Sequence, residues 1–286
     1  MPELPEVQTI VNELNRKIRN KIIRLIEVRN SRSALPSPKI LISKTKNKKI
    51  QKVERRGKII NINLLGNDNI LIHLKMTGQL VYVKRNGQKI SGGHPIANLG
   101  ILPNKFSHII IHFTDGSTLY FNDIRKFGWV KYATNIEWEA AKQKYGLEPF
   151  DKEYTLDNFA NIIKSFPKIK IKQLLIDQKK ISGIGNIYAD ESLFSAKILP
   201  FRLAGSLTNQ EIKNLYQTIP KILKLAIRHG GTTADNYVRT DGSKGEMIRF
   251  LKVYGRTEKK CKRCGGIISK IKLNGRGTHF CKTCQK

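Results

Sequence analysis

The chain has 286 residues, 40% of them hydrophobic, which is enough for a buried core and for two domains of ordinary size. Its 53 Lys and Arg against 22 Asp and Glu give a formal net charge of +31, which points to a polyanionic partner. No apolar run of about eighteen residues occurs, and the start MPELPEVQTI lacks the basic and apolar stretches of a secretion signal, so a membrane protein is disfavoured and a soluble cytosolic one is expected. A lysine-rich proteome, as an AT-rich genome produces, supplies part of the charge. It does not explain why acids are scarce, and nucleic acid is the favoured partner.

In chain order, Pro2 and Pro5 bracket two residues ahead of Val7, Ile10, Val11, Leu14 and Ile18, which recur at helical spacing. Glu6 falls in the first turn, and the prolines stiffen a terminus held at the positive end of that helix. From about residue 20 to 134 the pattern becomes short strand-like runs, Ile59 to Leu64, Ile70 to Leu74, Ile109 to Phe113 and Ser117 to Phe121, punctuated by Asn86-Gly87 and Asp115-Gly116 turns. A β-sandwich or barrel with one leading helix is expected. Thr134 to Asp151 is mixed and polar and reads as a linker. Helical patterns follow at Leu156 to Phe166, Ile171 to Asp177, Ile187 to Ala196 and Gln210 to His229. The fold class is α+β, divided as 1–134, a linker at 135–151, a helical part at 152–250 and a terminal hairpin at 251–286.

Gly183-Ile184-Gly185-Asn186 opens the third of these helices. A Gly-x-Gly turn at a helix start either exposes backbone N–H groups to a phosphate or merely permits tight packing, and the segment alone supports both equally. All four cysteines lie near the end as Cys261-x-x-Cys264 and Cys281-x-x-Cys284. That spacing lets four thiolates converge on one tetrahedral Zn2+ with no position left for water, hence a structural ion; two disulfides, the alternative, suit a reducing cytosol poorly. Between the knuckles, Asn274-Gly275 marks a two-residue hairpin turn with Arg276 just beyond it.

Met1-Pro2-Glu3-Leu4-Pro5-Glu6-Val7, Arg55-Arg56-Gly57-Lys58, His73-Leu74-Lys75-Met76-Thr77-Gly78, Asp123-Ile124-Arg125-Lys126-Phe127-Gly128, Gly183-Ile184-Gly185-Asn186-Ile187-Tyr188 and the cysteine hairpin occur in one order along the whole chain. Together they resemble the bacterial formamidopyrimidine-DNA glycosylase family. The resemblance implies a catalytic sandwich, a helix-two-turn-helix domain, a zinc-finger hairpin, and a monomer acting on double-stranded DNA with oxidised purines or abasic sites. It implies that loss of Met1 leaves Pro2 as a secondary amine, the Schiff-base nucleophile; a terminal amine has a reference pKa of about 8 against about 10.4 for lysine, so a reactive fraction exists at neutral pH. Glu3 corresponds to the general acid, and Lys58 and Arg276 to proton donors or phosphate contacts for the eliminations. Met76, Arg125 and Phe127 correspond to the plug, cation and wedge that fill the gap left by a flipped nucleotide. His94, Lys172 and Asn186 correspond to further DNA contacts, and Asn236 to Met247 to a loop that closes over the extruded base.

Ile124 stands where proline is usual, Lys75 where Gly or Arg is frequent, and Gln8 where Glu is frequent; none removes a reactive group. Two rival readings are an endonuclease VIII-like glycosylase for oxidised pyrimidines, and a non-catalytic zinc-hairpin binder of damaged DNA. Leu4 and the intact Met76, Arg125 and Phe127 set favour the purine enzyme over the first. The second has no need of Pro2 and Glu3.

Overall fold

A computed structural model describes residues 1–93, 101–232 and 245–286. His94 lies outside the described residues, as does the Asn236 to Met247 loop except for its last three positions.

The leading helix α1 (Leu4–Ile18) starts where Glu6 Oε2 accepts the Glu3 N–H at 2.9 Å, satisfying one of the donors that every helix start leaves open. Its apolar stripe Val7, Ile10, Val11, Leu14 and Ile18 is fully buried. After it come β1 (Ile23–Val28), β2 (Ala34–Leu35), α2 (Pro38–Thr45), β3 (Ile50–Arg56), β4 (Ile59–Leu64), β5 (Asp68–His73), β6 (Gly78–Val83), β7 (Lys89–Gly93), β8 (Ser107–Phe113), β9 (Thr118–Asp123), β10 (Trp129–Thr134) and α3 (Asn135–Gln143). One sheet runs β1-β8-β9-β6-β7 and the other β2-β10-β5-β4-β3. Residues from both, among them Ile26, Ile60, Ile72, Leu80, Ile111 and Phe121, join the stripe of α1 in one buried core, so this is a sandwich with a helix closing it.

The remaining elements are α4 (Leu156–Ser165), α5 (Ile171–Ile176), α6 (Asn186–Ser195), α7 (Asn209–Arg228) and the hairpin β11 (Ile268–Leu273) and β12 (Arg276–Cys281). Asn274 and Gly275 both have positive φ, 46° and 74°, as the two-residue turn between right-twisted strands requires. The chain forms two compact units, Met1–Gln143 with His229–Glu246, and Lys144–Arg228 with Met247–Lys286. The α+β sandwich, helical part and terminal hairpin expected above are all present.

Two helices depart from the sequence reading. Asn135–Gln143, read as linker, is helical, but it buries only Trp138 and leaves Ile136 exposed, so one anchor produced no period to detect. Pro38–Thr45 interrupts the strands; its cap, Ser37 Oγ accepting the Ile40 N–H with Pro38 in the first turn, was the available signal.

Candidate functional site

The first unit carries Pro2 and Glu3 at the start of α1, both buried. Pro2 precedes the N-cap residue Glu3, and no element intervenes between it and the positive helix end. Glu6 also acts at long range, since its Oε1 accepts the Thr232 N–H at 2.8 Å and so fastens the segment after α7 to the chain terminus. Gly231, at φ 81°, is required there, because a Cβ would lie 2.8 Å from Glu6 Oε1.

Lys58 follows the left-handed Gly57 in the β3–β4 turn and is buried, and the next residue, Ile59, pairs with His73 across β4 and β5. Burial first, then the charges of Lys75 and Lys58, push the His73 imidazole down to about 3. The ring is therefore neutral, and its Nδ1 accepts the Lys75 N–H at 3.0 Å. A tilted contact with Trp129, ring centres 5.8 Å apart, holds it in place.

Met76, Arg125 and Phe127 sit on two adjacent crossings between the sheets, β5 to β6 and β9 to β10. They share one end of the sandwich because β6 pairs with β9 and β5 pairs with β10. Met76 is 37% exposed and Phe127 56%, an unusual outlay of apolar surface, and Ile124 beside them is exposed as well. The Arg125 guanidinium stacks 4.7 Å from the Phe127 ring centre. Lys75 and Lys126 both adopt left-handed backbone, a strain of about 1 kcal/mol for each side chain with a Cβ, and each turns the chain beside a presented residue.

In the second unit α6 begins at Asn186 with Gly185 as N-cap, and Gly183 takes φ 86° in the turn before it. Gln178 braces this turn, donating to the carbonyls of Ile176 and Ile184 and accepting the Gly183 N–H. Asn186 Nδ2 donates to Gly277 O at 3.0 Å, so the start of α6 holds the hairpin one residue from exposed Arg276.

Lys172 is not a solvent-facing phosphate clamp. Only 1% exposed, its Nζ lies 2.6 Å from Asp190 Oδ1 and donates to Thr278 Oγ1 and Gly277 O. Asp190 Oδ2 in turn accepts the N–H of His279 at 2.9 Å and lies 3.1 Å from its Nδ1. A buried ammonium and carboxylate stay charged only when paired and hydrogen-bonded like this. The network pins β12 to α5 and α6, and Lys172 thus positions Arg276 from behind. Asp190 and His279 escaped the sequence reading; the adjacent acids Asp190 and Glu191, set among Ala189, Leu193 and Phe194 in α6, were the available signal.

The four cysteine sulfurs lie within 4.8 Å of one another, a cluster of ligating groups among the described residues. Cys261 and Cys284 sulfurs are 3.9 Å apart and those of Cys264 and Cys281 3.5 Å. A tetrahedron with Zn–S bonds of about 2.3 Å has edges of about 3.8 Å, whereas a disulfide needs about 2.05 Å. The Gly266 N–H and neighbouring sulfurs bring the Cys264 thiol down to about 7, while burial pushes Cys284 up to about 12. Four sulfurs this close cannot all ionise without a cation between them, and the set fits one structural zinc ion. Gly265, at φ 78°, lets its N–H reach Cys261 O at 2.9 Å and closes the first knuckle.

Three family models match in order: formamidopyrimidine-DNA glycosylase N-terminal domain over residues 1–130, formamidopyrimidine-DNA glycosylase H2TH domain over 145–237, and a zinc finger found in FPG and IleRS over 258–286. A formamidopyrimidine-DNA glycosylase of Listeria monocytogenes is 39% identical over 290 residues, covering all of both chains. Among solved structures, a Lactococcus lactis FPG mutant in complex with a Fapy-dG containing DNA matches with TM-score 0.88 and 34% identity over the whole of both chains. The Lactococcus lactis Fpg in complex with an abasic site containing DNA matches with TM-score 0.87 and 34% identity over 99% of each chain. The chain belongs to the formamidopyrimidine-DNA glycosylase family.

Proposed function

We propose that the protein is a bifunctional DNA glycosylase and abasic-site lyase of base excision repair that removes oxidised purines, 8-oxoguanine and formamidopyrimidines, from duplex DNA. The observation that carries this reading is the pairing of a full-length family match with Pro2 and Glu3 placed together at the head of α1. Removal of Met1 converts the Pro2 nitrogen from an amide into a secondary amine. Its lone pair attacks C1′ of the damaged nucleotide and the bond to the base breaks, with the base leaving protonated. Glu3 donates a proton to the ring oxygen as the sugar opens, and the iminium that results draws electrons from C2′. Loss of a C2′ proton then expels the 3′ phosphate, and a second elimination expels the 5′ phosphate, with Lys58 and Arg276 at the phosphates.

The sugar is out of reach inside a stacked duplex, so the nucleotide must leave it. Met76 and Phe127 fill the space vacated, and Arg125 donates hydrogen bonds to the orphaned base. What supports this is their exposure on adjacent loops at one end of the sandwich. Asn186 contacts a phosphate at the start of α6, and Lys172 orients the hairpin. The zinc ion supplies no chemistry; it holds the knuckles that carry Arg276. No helix among the described residues is long and apolar enough to cross a membrane, and the enzyme works as a monomer in the cytoplasm on chromosomal DNA.

Borohydride trapping on a duplex with 8-oxoguanine opposite cytosine, followed by mass spectrometry of the linked peptide, tests the reading. The expected adduct is at Pro2. Processed protein that binds the duplex but yields no adduct would sink the mechanism and favour a damage binder.

A further inference from the structure

Asp123 is fully buried at the end of β9, and among the described residues its carboxylate accepts hydrogen bonds from one hydroxyl and two backbone N–H groups. Oδ1 accepts the hydroxyl of Thr77, by a short hydrogen bond, and the Arg125 N–H at 3.1 Å; Oδ2 accepts the Gly128 N–H at 2.7 Å. The Thr77 hydroxyl oxygen also lies 3.1 Å from the Arg125 nitrogen, as acceptor. One carboxylate therefore ties the β5–β6 crossing, through Thr77, to both ends of the β9–β10 crossing.

The tied residues are immediate neighbours of the presented ones: Thr77 follows Met76, Arg125 is held by its own N–H, and Gly128 follows Phe127. The surroundings admit no slack. A Cβ on Gly128 would lie 2.7 Å from Phe121 Cζ and 3.1 Å from Asp123 Oδ2, and a Cβ on Gly78 would lie 2.4 Å from Leu74 O. His108 Nε2, 2.6 Å from the Asp123 carbonyl, fixes the backbone of the carboxylate's own residue. Three hydrogen bonds to one buried carboxylate and two glycines are spent on loops that carry exposed side chains, which is how a binding element is kept rigid before its ligand arrives.

We propose that Asp123, acting through Thr77, is a positioning residue that locks the Met76 loop and the Arg125–Phe127 loop into one preformed wedge. The inference rests on the reading of these three side chains as gap fillers in duplex DNA. The wedge is needed only where an opposite strand exists; a single strand carrying an abasic site meets Pro2 without it.

Single-turnover excision of 8-oxoguanine opposite cytosine and opposite adenine, and nicking of a single-stranded abasic oligonucleotide, separate the possibilities. Thr77→Val, of equal size, and Asp123→Asn, which turns a donor toward the Gly128 N–H, should each lower duplex excision about tenfold and narrow the cytosine-to-adenine ratio. Single-strand nicking should change less than twofold, and Thr77→Ser should restore duplex excision. Full duplex activity in Thr77→Val, equal loss on both substrates, or failure of Thr77→Ser to restore would each overturn the lock. Phe127→Ala leaves the lock intact: if it loses duplex excision while Thr77→Val does not, the wedge stands without the lock. If Phe127→Ala loses nothing, the wedge reading falls and the lock with it.

Discussion

His73 shows how one side chain's setting becomes a property of the protein. With the folded group brought down to about 3 from an ordinary 6.5, the unfolded chain takes up a proton below pH 6.5 that the folded chain refuses. Stability at neutral pH is unaffected and falls as the pH drops from 6.5 toward 3, by about 2 kcal/mol at pH 5 for this group alone. Denaturant unfolding of the native protein and of His73→Gln, compared at pH 7 and pH 5, checks this: the variant should lose that part of the pH slope. Equal slopes would mean the imidazole is solvated, and the stack on Trp129 would then need another account. Lys172 makes the same point in the other direction. Its type and place in the sequence match a phosphate contact, but burial against Asp190 decides that it supports the hairpin instead.

At the scale of elements, the hairpin β11–β12 depends on its metal. Its apolar contacts include Phe194, Val253 and Ile268 around Cys261 and Cys281 and Phe280 against Phe201, and a two-stranded ribbon alone is marginal in water. Zinc coordination contributes folding free energy directly, about 10–16 kcal/mol in isolated finger peptides at neutral pH. Chelation under reducing conditions should therefore release one zinc per chain and abolish duplex binding and Pro2 trapping. Both tryptophans of the chain, Trp129 and Trp138, lie in the first unit, so their fluorescence should stay unchanged. A tryptophan shift that tracks zinc loss would show that the ion supports more than the hairpin. The same reasoning locates Arg276: Asn186 and Lys172 hold the strand behind it through Gly277 and Thr278, and its side chain stays exposed.

For the whole molecule the net charge of +31 sets a measurable slope. Counterion release lowers log K by about 0.9 per phosphate neutralised for each unit of log salt, so duplex affinity should fall steeply between about 50 and 200 mM salt. Arg276→Gln should weaken binding and reduce that slope by about 1, whereas Asn186→Ala should weaken it with a smaller change of slope, since the amide displaces no cation itself and bears on Arg276 only through the Gly277 carbonyl it holds. A slope unchanged by Arg276→Gln would remove this arginine from the phosphate contacts.

Much of this was legible in the chain itself. Periodicity marked α1, the principal strands and the four helices of the second unit, because burial on one face enforces a repeat that sequence records directly. Cysteine spacing specified the zinc ligands, since local turns decide which thiolates can converge. Short motifs marked Pro2, Glu3, Met76, Arg125 and Phe127 as candidates, because the chemistry proposed for them belongs to the residue type. Tertiary structure alone decided the rest. Whether Lys172 faces solvent, which partners Asp123 gathers, and how His73 stays neutral depend on strands and helices far apart in sequence arriving at one place. Burial and hydrogen-bond satisfaction are properties of that arrival, and no local pattern encodes them.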